Sequence, residues 1–412
     1  MALREVYEKW TSINLVLRVL AGLLIGIVLA LIVPNIDPLV MLGELFVGAL
    51  KAIAPVLVFA LVLSALAASK PGLGSKFRVV MILYIGSTIV AATVSVLMSY
   101  AFPIEVTLPL EGDAPPEVND TWTLIRGIIV GIFTNPVTAI MDANYLSILF
   151  WAAIFGLVMK QFGNETTKSL ATDLGNIVTK VIRIIIEFAP VGVFGLIYGT
   201  ISTSGLGVLL DYGALIVLLV ACMCIVMFIT NPIIGAVLMR RNPYRLLFKC
   251  LKESAIMAFF TRSSAANIPV NMKLCESMGL SKDFYSVSIP LGATINMNGA
   301  AVTITVLSLS LAFTLGMDVP PALAVILCII ATIAACGASG VPSGSLMLIP
   351  MACSMLSIDN ETAMLMVGVG MIIGVIQDSL ETALNSSADA YFTAVAEVVD
   401  ARWRGEDLEL KL

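Results

Sequence analysis

The 412-residue sequence is 59% hydrophobic and only 12% charged, with a mean hydropathy of +1.01 and a net charge of −5. Soluble globular domains carry about 25% charged residues, so the chain is expected to lie in membrane lipid, with no nucleic-acid partner. It contains no histidine, which excludes Ser-His and Cys-His catalysis and the usual zinc ligands. The seven cysteines form no CxxC pair, and Cys222 and Cys224 lie inside an apolar run, so they read as small buried hydrophobes.

In chain order, an apolar segment at about 14–33 comes first. It is longer than a signal-peptide core and lacks a small-residue cleavage pattern, so an uncleaved first span is expected. Further apolar runs lie at about 42–68, 78–101, 121–159, 170–200, 211–239, 283–315, 321–356 and 362–398. Two of them exceed a simple crossing of ~20 residues: 121–159, interrupted at Asn135-Pro136, and 321–356, interrupted at Gly340-Val341-Pro342. The mixed segment 246–271 holds Arg262, Ser263 and Ser264 at its middle and reads as a re-entrant element. With the N-terminus inside, the outer loops hold no lysine or arginine, and the loop 103–120 has five acids and no base. That agreement with the positive-inside rule requires 246–271 and 321–356 each to enter and return on one side. The expected fold is an all-α membrane protein of eight transmembrane helices plus two re-entrant helical hairpins, with both termini cytoplasmic.

Non-helical backbone at membrane depth survives only where it is buried in protein or lines a wet cavity. The expected hairpin tips are Thr261-Arg262-Ser263-Ser264 and 337–345, and Gly292-Ala293-Thr294-Ile295-Asn296-Met297-Asn298-Gly299 interrupts the span between them with glycine and asparagine. Free N–H groups at such half-helix ends suit a carboxylate, and free carbonyls suit Na⁺. Segments 246–315 and 321–398 each form a hairpin followed by a polar-centred span, and their opposite entry sides make an inverted-repeat core. On the last span, Asp378, Glu381, Thr382, Asn385 and Asp389 fall within an arc of roughly 100° at helical spacing. Ionisable groups at that depth cost about 2.5 kcal/mol or more each and usually mark an ion or substrate pathway.

The segments TRSSAANIPV (261–270), LGATINMNGAA (291–301), GASGVPSGS (337–345) and QDSLETALNSSAD (377–389) together resemble the signatures of the dicarboxylate/amino acid:cation symporters, the glutamate-transporter-like fold. The resemblance covers the whole chain. It implies a Na⁺-coupled symporter working by elevator-type alternating access, forming a homotrimer in a bacterial inner membrane. Scaffold elements at about 14–68 and 121–200 and transport elements at about 78–101, 211–315 and 321–398 are implied with it. The substrate carboxylate is expected at Ser263, Ser264 and the Arg262 backbone, with Asn385 as a second contact, and the ammonium at Asp378, helped by Thr382 and the backbone of Gly340 and Val341. One sodium site is implied at the carbonyls of Gly292, Asn296 and Asn385 with the Asp389 carboxylate, and another at the carbonyls of Thr294, Ala335, Cys336 and Ala338. All-oxygen ligation suits a hard cation.

Two departures from the family pattern bear on specificity. Acidic-substrate members place an arginine where this chain has Glu381. A carboxylate there repels a substrate side-chain carboxylate but accepts a hydrogen bond from a hydroxyl, so small neutral hydroxylated amino acids, L-serine and L-threonine, are the expected substrates. Asn298 stands where many acidic-substrate members carry an aspartate. The lost charge weakens any further cation site shared with Tyr84, Ser87 and Thr88, a trio that reads equally as interhelical hydrogen bonding. Several plainer alternatives stand beside these expectations. Arg262 could pair with Asp378 or Glu381 instead of substrate, Lys51 beside Pro55 reads as a snorkelling cation on a kinked helix, and Arg126, Lys180 and Arg183 read as structural or lipid-headgroup contacts. Symport of other neutral or acidic amino acids, or a channel, are the rival functions.

Overall fold

The computed structural model describes residues 13, 15–67, 74–108, 126, 129–337 and 343–412, and among them the secondary structure is helical with no strand. Helix α1 spans Leu15–Ile32, α2 Asp37–Ala67 and α3 Gly74–Ala101. The long run expected at 121–159 is interrupted as its Asn-Pro step implies. Asn135 caps the short α4, Pro136–Met141, by accepting from the N–H groups of Val137 and Thr138, and Asn144 caps α5, Tyr145–Phe162, in the same way through Ser147. Residues 121–125 lie outside the described residues. Helix α2 runs unbroken through Pro55, and Lys51 lies 3.9 Å from Glu361.

One expected span differs. The run at 170–200 is two helices, α6 at Glu165–Glu187 and α7 at Ala189–Ser204, bent by 54° at Phe188. Pro190 in the first turn of α7 has no N–H to continue the ladder, and its ring crowds the preceding turn. The bend is fastened to α1 by the ion pair of buried Arg18 with Glu187, 2.9 Å apart. Above it α7 packs closely on α2. A methyl group placed on Gly195 would lie 2.8 Å from the Leu39 carbonyl oxygen, so the two backbones touch where a side chain cannot fit. Gly195→Val is expected to force the crossing open at a cost of about 1–3 kcal/mol, read as a lowered thermal transition of the detergent-purified protein.

Helix α8 spans Val208–Met239, with a π-helical stretch at Val226–Thr230. Pro232, in the next turn, cannot donate to the Phe228 carbonyl, and that oxygen accepts instead from the Tyr244 hydroxyl at 3.3 Å. The first hairpin follows as α9, residues 244–261, and α10, Ser264–Ser277. Helix α11, Lys282–Ile295, and α12, Asn298–Thr314, are the two halves of a broken helix. The segment expected as the second hairpin holds α13, Pro321–Ala335, and α14, Ser345–Met355, and residues 338–342 between them lie outside the described residues. Helix α15, Asn360–Trp403, is 44 residues long, about 66 Å at 1.5 Å per residue.

The packing falls into two groups. Helices α1, α2, α5, α6 and α7 pack chiefly on one another, whereas α15 runs through the middle of the others, touching α3, α8, both limbs of the first hairpin, α11, α12 and α14. From Ala363 to Ala401 nearly every α15 residue is buried. At its far end Glu397 accepts from the Ser281 N–H at 3.1 Å, capping α11, and from Lys76 Nζ at 2.9 Å, tying down the start of α3. Among the described residues, six helical stretches are long and apolar enough to cross a membrane, and the bent α6–α7 pair makes a seventh candidate.

Candidate transport site

The polar stripe on α15 is buried inside protein. Asp378, Glu381, Thr382, Asn385 and Asp389 are each 5% exposed or less. Arg262 occupies the turn of the first hairpin in the left-handed conformation, φ +51°, and Ser263 is extended and caps α10 by accepting from the Ala266 N–H. That turn aims the guanidinium inward. Its Nε donates to Asp378 Oδ2 at 2.6 Å, and its second nitrogen donates to Ser343 Oγ at 3.3 Å. Of the alternatives open for Arg262, pairing with Asp378 is the one present. Both groups are buried, so each supplies the countercharge without which the other would be expensive to hold. Ser343, φ +58°, belongs to the second hairpin, so Arg262 joins both hairpin tips to α15.

Glu381 lies one turn further along. Its Oε2 accepts from Thr303 Oγ1 at 2.7 Å, Ser345 Oγ at 2.7 Å and Gln377 Nε2 at 2.5 Å. The donors come from α12, from the second hairpin and from α15 itself. Thr382 donates its hydroxyl to the Asp378 carbonyl at 2.7 Å. Asn385 faces the broken helix, where its Oδ1 accepts the Gly299 N–H at 2.7 Å and satisfies one orphan donor at the start of α12. Ser264, the first residue of α10, is buried.

The break between α11 and α12 falls at Asn296 and Met297, whose φ/ψ values of −87°/74° and −111°/55° leave the helical region. Asn296 Nδ2 donates to Asp389 Oδ1 at 2.9 Å. Gly292 passes so close that a methyl group on it would lie 2.7 Å from the same carboxylate oxygen. Gly292, Asn296 and Asp389 are thus brought together, and Asn385 lies one turn away on α15. For the second expected set, Cys336 Sγ lies 3.5 Å from the Ile295 carbonyl, next in chain to Thr294, and Ala335 ends α13 beside it. Ala338, Gly340 and Val341 lie outside the described residues.

Asn298 Oδ1 accepts from Ser87 Oγ at 3.1 Å and Thr88 Oγ1 at 2.9 Å, and the Tyr84 hydroxyl meets Thr393 Oγ1 at 3.0 Å. The trio on α3 is interhelical hydrogen bonding of the kind weighed from the sequence. Four residues of this region were given no individual role from the sequence: Thr303, Ser343, Ser345 and Gln377. Gln377 opens the quoted segment 377–389 and sits four residues before Glu381, a helical spacing that could have flagged it. Ser343 and Ser345 lie in the quoted tip segment 337–345, whose glycines and proline marked it without singling out either serine, and Thr303 is an ordinary threonine on α12 that nothing local distinguishes.

A broken helix and buried carboxylates among helices of membrane-crossing length are features of a membrane transporter rather than an enzyme. The model of the sodium:dicarboxylate symporter family matches residues 15–399, and the chain belongs to that family. It is 50% identical over 397 residues to the serine/threonine transporter SstT of Streptococcus agalactiae serotype Ia, covering 96% of this chain and 98% of that protein. It is 48% identical over 406 residues to the protein of the same name from Streptococcus thermophilus, with 98% and 100% covered. A third SstT, from Bifidobacterium adolescentis, is 48% identical over 396 residues, with 96% and 92% covered.

Proposed function

We propose that the chain is a secondary active Na⁺ symporter importing L-serine and L-threonine. The observation that carries this reading is Glu381, a buried carboxylate already surrounded by hydroxyl donors at the centre of the transport site; the names of the relatives agree with it. Ser263, Ser264 and the Arg262 backbone receive the substrate carboxylate with help from Asn385. Asp378, Thr382 and the backbone of Gly340 and Val341 receive the ammonium, which joins Arg262 at Asp378. Glu381 accepts from the substrate hydroxyl. A site built to pair a hydroxyl rejects an analogue lacking it far more strongly than size alone could.

Na⁺ enters as co-substrate. One ion binds at the Gly292, Asn296 and Asn385 carbonyls with Asp389, and a second at the carbonyls of Thr294, Ala335, Cys336 and Ala338 as the second hairpin closes. Na⁺ promotes closure only with substrate present, because otherwise the gradient leaks. Counting α1 with the seven candidates gives eight spans, with α9–α10 and α13–α14 re-entrant. The separate packing of α1, α2 and α5–α7 supports the division into a scaffold, which trimerises, and a transport unit that slides against it. Both termini lie on the cytoplasmic side of a bacterial inner membrane.

The test is uptake of labelled serine into proteoliposomes under an inward Na⁺ gradient, challenged by unlabelled amino acids. Threonine is expected to compete within about tenfold of serine, and alanine, aspartate and glutamate far more weakly. Uptake independent of Na⁺, or competition by aspartate as strong as by threonine, would overturn the proposal.

A further inference from the structure

We infer that Thr303, Ser345 and Gln377 are positioning residues for substrate selection, holding the specificity carboxylate in place; this rests on the reading of Glu381 as the acceptor of the substrate hydroxyl. The first observation is convergence. Three hydrogen bonds from three elements end on a single atom, Glu381 Oε2, at 2.5–2.7 Å. A carboxylate offers about four acceptor sites over its two oxygens. Loading one oxygen fixes the side-chain rotamer and leaves Oε1 for a donor outside the chain.

The second observation is where the donors stand. Gln377 is one turn from Glu381 on α15 and also donates to Thr303 Oγ1 at 2.7 Å, so Gln377, Thr303 and Glu381 form a closed triangle across the α12–α15 contact. That contact is tight: a methyl group on Gly299 would lie 2.8 Å from Glu381 Cα. The triangle is therefore held by rigid, closely packed backbones. Ser345 differs, because it opens α14 just beyond the tip of the second hairpin, two residues after the Ser343 that meets Arg262. Ser343 and Ser345 thus fasten the same limb to the two charged positions of the site. Without the Ser345 hydroxyl, Glu381 lacks one of its donors inside a buried site, which is unfavourable. A substrate hydroxyl offers the carboxylate the same type of donor. A hydroxylated substrate donating to Oε1 leaves both oxygens of Glu381 partnered, and an apolar analogue does not.

The test compares Ser345→Ala, Ser345→Thr and Thr303→Val with the unmodified transporter, measuring KM and maximal rate for Na⁺-driven uptake of serine and of alanine in proteoliposomes. Ser345→Ala and Thr303→Val are each expected to lower the serine-over-alanine preference in rate/KM by about tenfold, and Ser345→Thr, which keeps the hydroxyl, to restore it. Rates for both substrates falling together, with the preference unchanged in the two hydroxyl-deleted variants, would overturn the inference while leaving the proposed function intact. If the unmodified protein itself failed to prefer serine over alanine, both readings would fall. The thermal transition of each variant separates misfolding from altered selection, and Thr303→Val, nearly isosteric, keeps the question decidable should Ser345→Ala fold poorly.

Discussion

Asp389→Asn is expected to abolish Na⁺-driven uptake while the protein still folds and assembles. Asp389 is 1% exposed and touches the helix break through Asn296 at 2.9 Å. Asparagine has nearly the same volume and retains a carbonyl oxygen, so packing against Gly292 is preserved. The lost quantity is the charge. A unit charge 4 Å from a cation contributes about 4 kcal/mol at an effective dielectric of 20, which corresponds to roughly a thousandfold in affinity. The Na⁺ concentration for half-maximal uptake should rise by at least about a hundredfold, beyond any workable gradient, with little change in the size-exclusion profile or thermal transition. Normal Na⁺-driven uptake in this variant would remove Asp389 from the ion site.

The second large effect is expected at Glu381. Glu381→Arg replaces an acceptor with five donors and sets a second buried cation one turn from the Arg262–Asp378 pair. Gln377, Thr303 and Ser345 lose their common acceptor. Serine transport should fall by well over tenfold, since each tenfold loss corresponds to only 1.4 kcal/mol and a buried charge left unpaired costs about 3–5 kcal/mol. The uncompensated cation should in turn favour a substrate bearing a side-chain carboxylate, so aspartate is expected to bind. Binding is read from Na⁺-dependent aspartate protection against thermal unfolding. Serine uptake left intact, with no aspartate binding gained, would show that position 381 does not face the substrate.

Much of this architecture was legible because membranes impose strict conditions on sequence. Helix ends in an apolar run must be marked by residues that satisfy or forgo backbone hydrogen bonds, and here they are: Asn135-Pro136, the segment 261–264 and the segment 292–299 each hold a real break. The stripe on α15 was equally readable, because helical periodicity alone puts Asp378, Glu381, Thr382, Asn385 and Asp389 on one face. The bend at Phe188 was missed. Its signal, Pro190, sits in a run that is apolar on both sides, and a proline in such a run can either kink a helix or restart one. Pro55 leaves α2 continuous, so the residue type does not decide the outcome.

By itself the sequence determined the membrane setting, most of the places where helices break and the polar face of the last helix, since each follows from local hydropathy, backbone chemistry or the 3.6-residue period. Only the tertiary structure decided who meets whom. Arg262 could have paired with either acid or with neither, and the left-handed turn of the first hairpin directs it to Asp378. Glu381 could have stood alone facing a cavity, and instead holds donors that lie 78 and 36 residues away in the chain. Such pairings depend on how α12, α14 and α15 stack. That stacking is set by the summed burial of large apolar surfaces, which leaves no mark near any one serine or threonine.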